Sequence, residues 1–133
     1  MLPARHRMRH GDEFARAIRS GSRGSSRHVV VHLLPASPPH DPTPADPARV
    51  GFVVSKAVGG AVQRNRVRRR LREIVRARLS ELPDGALVVV RALPSSAAAD
   101  FAELSDAVGR SLGMAIGKAA RTGPARRDGG SRG

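Results

Sequence analysis

The sequence contains no cysteine, tryptophan or tyrosine, and its three phenylalanines are its only aromatic residues. Without cysteine the chain can form neither a disulfide framework nor a cysteine-bearing zinc site. No stretch approaches the roughly 20 consecutive apolar residues of a membrane-spanning helix. The first ten residues are basic but do not lead into the apolar run of a signal peptide. We therefore expect a cytoplasmic protein that does not enter a membrane.

Acidic residues are also scarce. The chain has 24 Lys and Arg against 11 Asp and Glu, for a formal net charge of +13. Such an excess points to a polyanionic partner, with nucleic acid as the first candidate and an anionic membrane as the second. Lys56 and Lys118 are the only lysines. Arginine suits bidentate phosphate contacts better than lysine does, although a GC-rich genome would produce the same bias, and we give both explanations weight.

The length of 133 residues allows one domain with a modest core. We expect a single domain over residues 1–120, whose first ten positions form a basic extended arm. Six prolines in residues 35–48 exclude a strand there, because proline lacks the donor that a ladder needs, and they predict a loop. The basic tail at 121–133 has nothing to bury and is expected to be disordered.

Hydrophobic periodicity predicts six elements in the order helix, strand, strand, helix, strand, helix. The helices are a short one ending at Gly21, one from Ala61 to about Leu79, and one capped by Ser95 or Ser96. The strands are the segments RHVVVHLLP, RVGFVVSKA and ALVVVRALP. In the first strand, Val29, Val31 and Leu33 should share one face. This order predicts an α+β or α/β sandwich in which helices cover a small sheet.

The second helix concentrates the positive charge. Residues 56–80 carry Lys56 and eight arginines against one acid, Glu73. Its apolar positions keep helical spacing and form one stripe: Val67, Leu71, Ile74, Val75 and Leu79. Arginines four residues apart repel each other along a helix, so a polyanion that neutralises them explains the pattern better than solubility does. A membrane-surface helix is less favoured, because the apolar stripe has side chains of core size.

The sequence offers no convincing catalytic or metal site. His28 and His32 could share a strand face, but no third ligand is apparent. Ser55 and Lys56 have no third orienting group, and the acids are too scattered to hold Mg²⁺ by themselves. The residues alone therefore indicate a DNA- or RNA-binding domain without its own active site, and periodicity does not choose between the two nucleic acids.

The stretch SKAVGGAVQRNRVRRRLRE, residues 55–73, resembles the signature of the bacterial ribonuclease P protein component. The signature joins Ser-Lys at a strand end, a glycine, a short apolar step, Arg-Asn-Arg and a basic helix. The resemblance extends over roughly residues 2–118. It implies a mainly antiparallel two-layer sandwich with a left-handed β-α-β crossover. It also implies the non-catalytic subunit of an endonuclease whose catalyst is ribonuclease P RNA, with Mg²⁺ held mainly by that RNA.

By the same resemblance, the protein binds ribonuclease P RNA and the 5′ leader of precursor tRNA, with one protein for each catalytic RNA. Candidates for contacts with the catalytic RNA are Lys56, Arg64, Asn65, Arg66, Arg68, Arg69 and Arg72. Candidates for a leader-binding cleft are Phe14, Ile18, Val30, His32 and Ser55. The chain departs from the family pattern at Ile18 and His32, where aromatic residues are common, and at Gly60, where Asn is common. The alternative is a general RNA- or ribosome-binding module without an enzymatic partner.

Overall fold

The protein is described by a computed structural model over residues 6–8, 11–36 and 47–121. In chain order its elements are α1 (Gly11–Ser20), β1 (Ser22–Ser25), β2 (Val29–Leu34), β3 (Arg49–Val53), α2 (Ala61–Arg76), β4 (Leu87–Ala92) and α3 (Phe101–Arg121). Short 3-10 turns cover Lys56–Val58, Leu79–Glu81 and Pro94–Ala97. Most of the predicted basic arm and proline-rich loop, and nearly all of the predicted tail, lie outside the described residues.

The four strands form one sheet in the order β1-β2-β4-β3. β2 pairs antiparallel with both β1 and β4, whereas β3 runs parallel to β4. Parallel neighbours need a crossover connection, and α2 supplies it between β3 and β4. The predicted α+β sandwich with a mainly antiparallel sheet is therefore confirmed.

The helices divide between the two faces of the sheet. Side chains alternate along a strand, and in β4 Val88 and Val90 join the main core with α2 and α3. Leu87 and Val89 instead form a smaller cluster with Ala17 of α1. The two principal layers are thus the sheet and the α2–α3 pair, and α1 adds cover on the opposite face. The predicted alternation in β2 holds as well, since Val29, Val31 and Leu33 all lie in the main core.

Strand β1 is not predicted by the sequence pattern, because SRGS has no apolar or β-branched residue. Hydrogen bonds to α3 hold it instead: the Ser22 hydroxyl donates to the Ala115 carbonyl at 2.7 Å, and the Lys118 ammonium donates to the Arg23 carbonyl at 2.7 Å. A Cβ atom on Gly24 would collide with the backbone of Ser111. A side chain at position 24 would therefore hold the strand away from the helix.

The predicted start of α3 is wrong. The helix begins at Phe101, behind a capping box in which the Glu103 amide donates to Asp100 Oδ1 at 2.8 Å and the Asp100 amide donates to Glu103 Oε1 at 2.9 Å. Ser95 lies in the preceding 3-10 turn and donates to the Arg27 carbonyl at 2.9 Å. Because the helix starts late, Phe101 is its first residue and is 48% exposed.

Candidate RNA interface

The apolar stripe predicted from its periodicity packs helix α2 into the main core. The four stripe residues within the helix are at most 3% exposed: Val67, Leu71, Ile74 and Val75. The helix ends at Arg76 rather than at Leu79, which falls in the following 3-10 turn. The buried stripe fixes the rotation of α2, and therefore fixes which arginines point outward.

The candidate RNA-binding side chains of α2 differ in exposure. Asn65, Arg66, Arg69 and Arg72 are exposed, whereas Arg64 and Arg68 are half-buried. Arg68 donates to Asn65 Oδ1 at 3.4 Å, and within the described ranges none of these five arginines pairs with an acid. Their positive charge is therefore uncompensated by carboxylates and available to phosphate.

Two other arginines of α2 serve the protein itself. Arg70 Nη1 donates to the Ala99 carbonyl at 2.9 Å, which ties α2 to the segment before α3. Arg76 forms an ion pair with Glu73 at 3.1 Å. Arg70 therefore has a structural role, whereas the Arg76 side chain remains 54% exposed. Charge counting along the sequence does not make this distinction.

A pocket of about 290 Å³ opens at the β3 edge of the sheet beside α2. It is lined by Arg7, Met8, Phe14, Val50, Gly51, Phe52, Arg68 and Arg72. A Cβ atom on Gly51 would collide with the Phe14 ring, so the ring lies directly against the β3 backbone. The pocket unites Phe14, predicted for the leader cleft, with Arg68 and Arg72, predicted for the catalytic RNA. Three guanidinium groups and two aromatic rings around one cavity suit phosphate binding and base stacking.

The other leader-cleft candidates lie at different depths. Val30 and His32 are on the sheet face toward α1, but they are only 3% and 4% exposed. Ile18 of α1 is 40% exposed, and Ser55 is exposed beyond the end of β3. Val30 and His32 therefore offer almost no accessible surface in this conformation, whereas Ile18 and Ser55 are accessible to a ligand.

His32 has an arginine neighbour in place of a stacking partner. His32 Nε2 lies 3.3 Å from Arg91 Nη1, and a guanidinium group only donates hydrogen bonds. Nε2 must therefore accept, which leaves the proton of the neutral ring on Nδ1, a buried atom without a hydrogen-bond partner. Burial, and then the charges of Arg91 and Arg23, lower the pKa of His32 below its usual value. At neutral pH the uncharged form of His32 is therefore favoured.

Ser55 and Lys56 lead from β3 into the start of α2. Both side chains are exposed, and the backbone closes a 3-10 turn in which the Val58 amide donates to the Ser55 carbonyl at 3.0 Å. Gly59 has a φ of 152°, which favours glycine. The Gly60 amide donates to Gln63 Oε1 at 2.9 Å, so Gln63 satisfies the helix start although Gly60 has no side chain. The turn places Lys56 beside the first exposed residues of α2.

The described residues contain no group of three or more His, Asp or Glu side chains that could hold a metal ion. Each described histidine has a different neighbour: His6 the Ala48 carbonyl, His28 the Ser95 hydroxyl and His32 the Arg91 guanidinium. No helix within the described ranges is long and apolar enough to cross a membrane.

Comparison with known proteins identifies the family. A family model described as Ribonuclease P matches residues 2–116. The chain belongs to the ribonuclease P protein family. It is 50% identical over 123 residues to the ribonuclease P protein component of Streptomyces avermitilis, covering 91% of this chain and 100% of that protein. It is 53% identical over 126 residues to that of Beutenbergia cavernae, covering 95% and 100%.

Solved ribonuclease P proteins share the fold. The Staphylococcus aureus protein matches with a TM-score of 0.68 at 24% identity, over 83% of this chain and 94% of that one. The Thermotoga maritima protein matches with a TM-score of 0.65 at 24% identity, over 84% and 96%. These similarities confirm the architecture predicted from the sequence.

Family membership also confirms the predicted role. The chain is a protein component of ribonuclease P, a ribonucleoprotein endonuclease of tRNA 5′ maturation, and its partner is RNA. Within that assembly the protein is the non-catalytic subunit. The general RNA-binding module without an enzymatic partner is therefore not supported.

Several residues of the pocket were not predicted as site residues. Arg7 and Met8 reach it because residues 6–8 run beside β3, where the Met8 amide donates to the Val50 carbonyl at 3.1 Å. Phe52 is partly buried against the main core and borders the pocket. The sequence could have indicated a role for Gly51, because a glycine inside a strand often marks the close approach of another group.

Proposed function

We propose that this protein binds ribonuclease P RNA through the outward side of α2 and the preceding turn, and holds the 5′ leader of precursor tRNA beside α1. The two sites meet at the pocket on the β3 edge. By bridging both RNAs, the protein promotes endonucleolytic removal of the leader. The observation that carries the proposal is the union of Phe14, Arg68 and Arg72 around one cavity.

The residues divide between the two RNAs according to their positions. For the catalytic RNA we assign Lys56, Arg64, Asn65, Arg66, Arg68, Arg69 and Arg72. For the leader we assign Phe14, Ile18, Val30, His32 and Ser55, with Val30 and His32 acting through the shape of the cleft floor. Arg68 and Arg72 also border the leader side, because they share the pocket with Phe14.

The physical contribution of the protein is to offset repulsion between two polyanions. Charges separated by more than about 8 Å are largely screened at physiological ionic strength, so neutralisation must be local. Arginines that border both RNAs provide it where the leader approaches the catalytic RNA. Each phosphate that an arginine neutralises also releases condensed counterions, which favours binding.

We assign the catalytic Mg²⁺ to the RNA, with one protein for each catalytic RNA in the cytoplasm. The assignment follows from the non-catalytic role of the protein component within this family. The protein strengthens metal binding indirectly, by holding the leader so that substrate and RNA phosphates converge.

The test is reconstitution with a bacterial ribonuclease P RNA at low Mg²⁺, measuring leader removal from precursor tRNA. We expect the protein to stimulate cleavage over RNA alone, and Arg66→Ala combined with Arg69→Ala to weaken that stimulation. Arg110→Ala is the matched control, because Arg110 is exposed on α3 and pairs with Asp106 at 2.9 Å. No stimulation by the wild-type protein would refute the proposed function.

A further inference from the structure

Helix α1 is held on the sheet by a small apolar contact. Its fully buried apolar residue is Ala17, which packs against Leu87 and Val89, with Phe14 half-buried beside them. Ile18 points outward and is 40% exposed. Since the hydrophobic contribution scales with the apolar area removed from water, this contact leaves α1 weakly anchored compared with α2 and α3.

An ion pair adds a directional contact at the first turn of α1. Arg49 Nη1 donates to Glu13 Oε2 at 2.6 Å, slightly shorter than the roughly 2.7–2.9 Å usual for a charge-assisted hydrogen bond between a cation and a carboxylate. The Glu13 residue is only 8% exposed, whereas the Arg49 side chain is 38% exposed. The pair therefore lies at the boundary of the protein interior, where it is screened less than a fully exposed pair.

The partner arginine is itself fixed by the sheet. Arg49 is the first residue of β3, and its amide donates to the Ala86 carbonyl at 2.9 Å. Side chains two positions apart share a strand face, so Arg49 and Gly51 lie on the same side. Phe14 follows Glu13 in α1, and its ring lies against Gly51, two residues after Arg49 in β3. The ion pair and the ring contact therefore join neighbouring residues of α1 and β3.

We propose that Glu13 and Arg49 are positioning residues for leader recognition. The ion pair fixes the first turn of α1 relative to β3, and thereby keeps the Phe14 ring on Gly51 as one wall of the pocket. Neither residue needs to touch RNA. This inference rests on the proposed function for its effect on leader binding, whereas the effect on α1 itself stands alone.

The expected loss of leader affinity follows from the fraction of molecules in which α1 is correctly seated. If loss of the pair lowers the fraction of molecules with α1 correctly seated to about one tenth, the leader affinity falls about tenfold. Binding that does not use the leader is unaffected. A positioning defect therefore changes the ratio of the affinities for precursor tRNA and for mature tRNA. A simple loss of stability does not change this ratio at a temperature where the protein remains folded.

The experiment compares Glu13→Gln, Arg49→Gln and the charge-exchanged double variant Glu13→Arg/Arg49→Glu in the reconstituted holoenzyme. We measure Kd for precursor tRNA and for mature tRNA, and the salt dependence of binding to the catalytic RNA. Both single variants should weaken precursor binding about tenfold, with mature tRNA affinity and salt slope unchanged. The double variant should recover part of the loss. An unchanged affinity ratio, or a lower salt slope for Arg49→Gln alone, would overturn the inference.

Amide hydrogen exchange of the free protein gives a readout that does not depend on RNA. Glu13→Gln should speed exchange within Gly11–Ser20 and leave α2 unchanged, because local opening follows local anchoring. Unchanged exchange in α1 would overturn the positioning role. A wild-type holoenzyme that does not prefer leader-bearing precursor would contradict the proposed function instead, and the exchange result would still decide the role of the pair.

Discussion

Substitution of Gly51 by alanine tests the geometry of the pocket. An added Cβ atom would collide with the Phe14 ring and would lie 3.1 Å from Met8 Sδ. The β3 backbone is fixed by pairing with β4, so the ring rather than the strand must move. Gly51→Ala should therefore displace Phe14 from its place against the sheet.

Two magnitudes follow from that displacement. Overpacking a well-filled site costs about 1–3 kcal/mol of unfolding free energy, and for a chain of this size each kcal/mol lowers Tm by about 4 °C. Loss of an aromatic stacking platform costs about 1–3 kcal/mol for each base. Because 1.4 kcal/mol corresponds to tenfold in affinity, leader binding should weaken by roughly 5- to 150-fold.

The assay is the Kd of the reconstituted holoenzyme for precursor tRNA and for mature tRNA, with thermal unfolding measured in parallel. Gly113→Ala is the matched control, because a Cβ atom there meets nothing within 4 Å. This control should stabilise α3 by about 0.5–1 kcal/mol and leave both affinities unchanged. If Gly51→Ala bound precursor as tightly as the wild type does, Phe14 would not form a wall of the leader site.

Three further predictions concern the RNA face, the cleft floor and α3. Arg64→Ala combined with Arg66→Ala should lower the salt slope of RNA binding by about 0.7–0.9 for each phosphate that is no longer neutralised, whereas an unchanged slope would place these side chains in solvent. Burial, and then the charge of Arg91, lower the pKa of His32 in the folded protein. As pH falls below about 6.5, this histidine therefore takes up a proton in the unfolded chain before it does so in the folded protein. Stability should therefore decline below that pH, and His32→Gln should flatten the decline in urea unfolding; an equal decline in the variant would assign it to other groups. Asp100→Ala should destabilise the protein by about 1 kcal/mol through loss of the α3 cap, and an unchanged Tm would show that the cap contributes nothing.

The parts of the fold that follow from local patterns were predictable. The α2 stripe of Val67, Leu71, Ile74 and Val75 and the β2 alternation both express burial on one face, and both are confirmed. Strand β1 was not predictable, because its stability comes from serine hydroxyls and a glycine that contact α3 some 90 residues later. Its own residues have low strand propensity.

The site was predictable in composition but not in arrangement. The Arg64-Asn65-Arg66 segment identified the family, and the structure adds which arginines are outward and which, like Arg70, bond to the protein. The pocket joins residues from four separate segments, and spacing along the chain carries no information about such a meeting. The burial of His32 was likewise set by tertiary contacts rather than by its strand position.

The contact of residues 6–8 with β3 bears on the order of folding. His6 Nδ1 lies 2.8 Å from the Ala48 carbonyl, 42 positions later in the chain, and the Arg7 backbone pairs with Val50 at the outer side of β3. During synthesis the residues that cover this strand leave the ribosome long before the strand exists. An uncovered strand edge is a template for pairing with another chain. Residues 6–8 can therefore cover the β3 edge only after β3 has formed, although they are synthesised first. The side of the pocket that Arg7 lines forms only at that step.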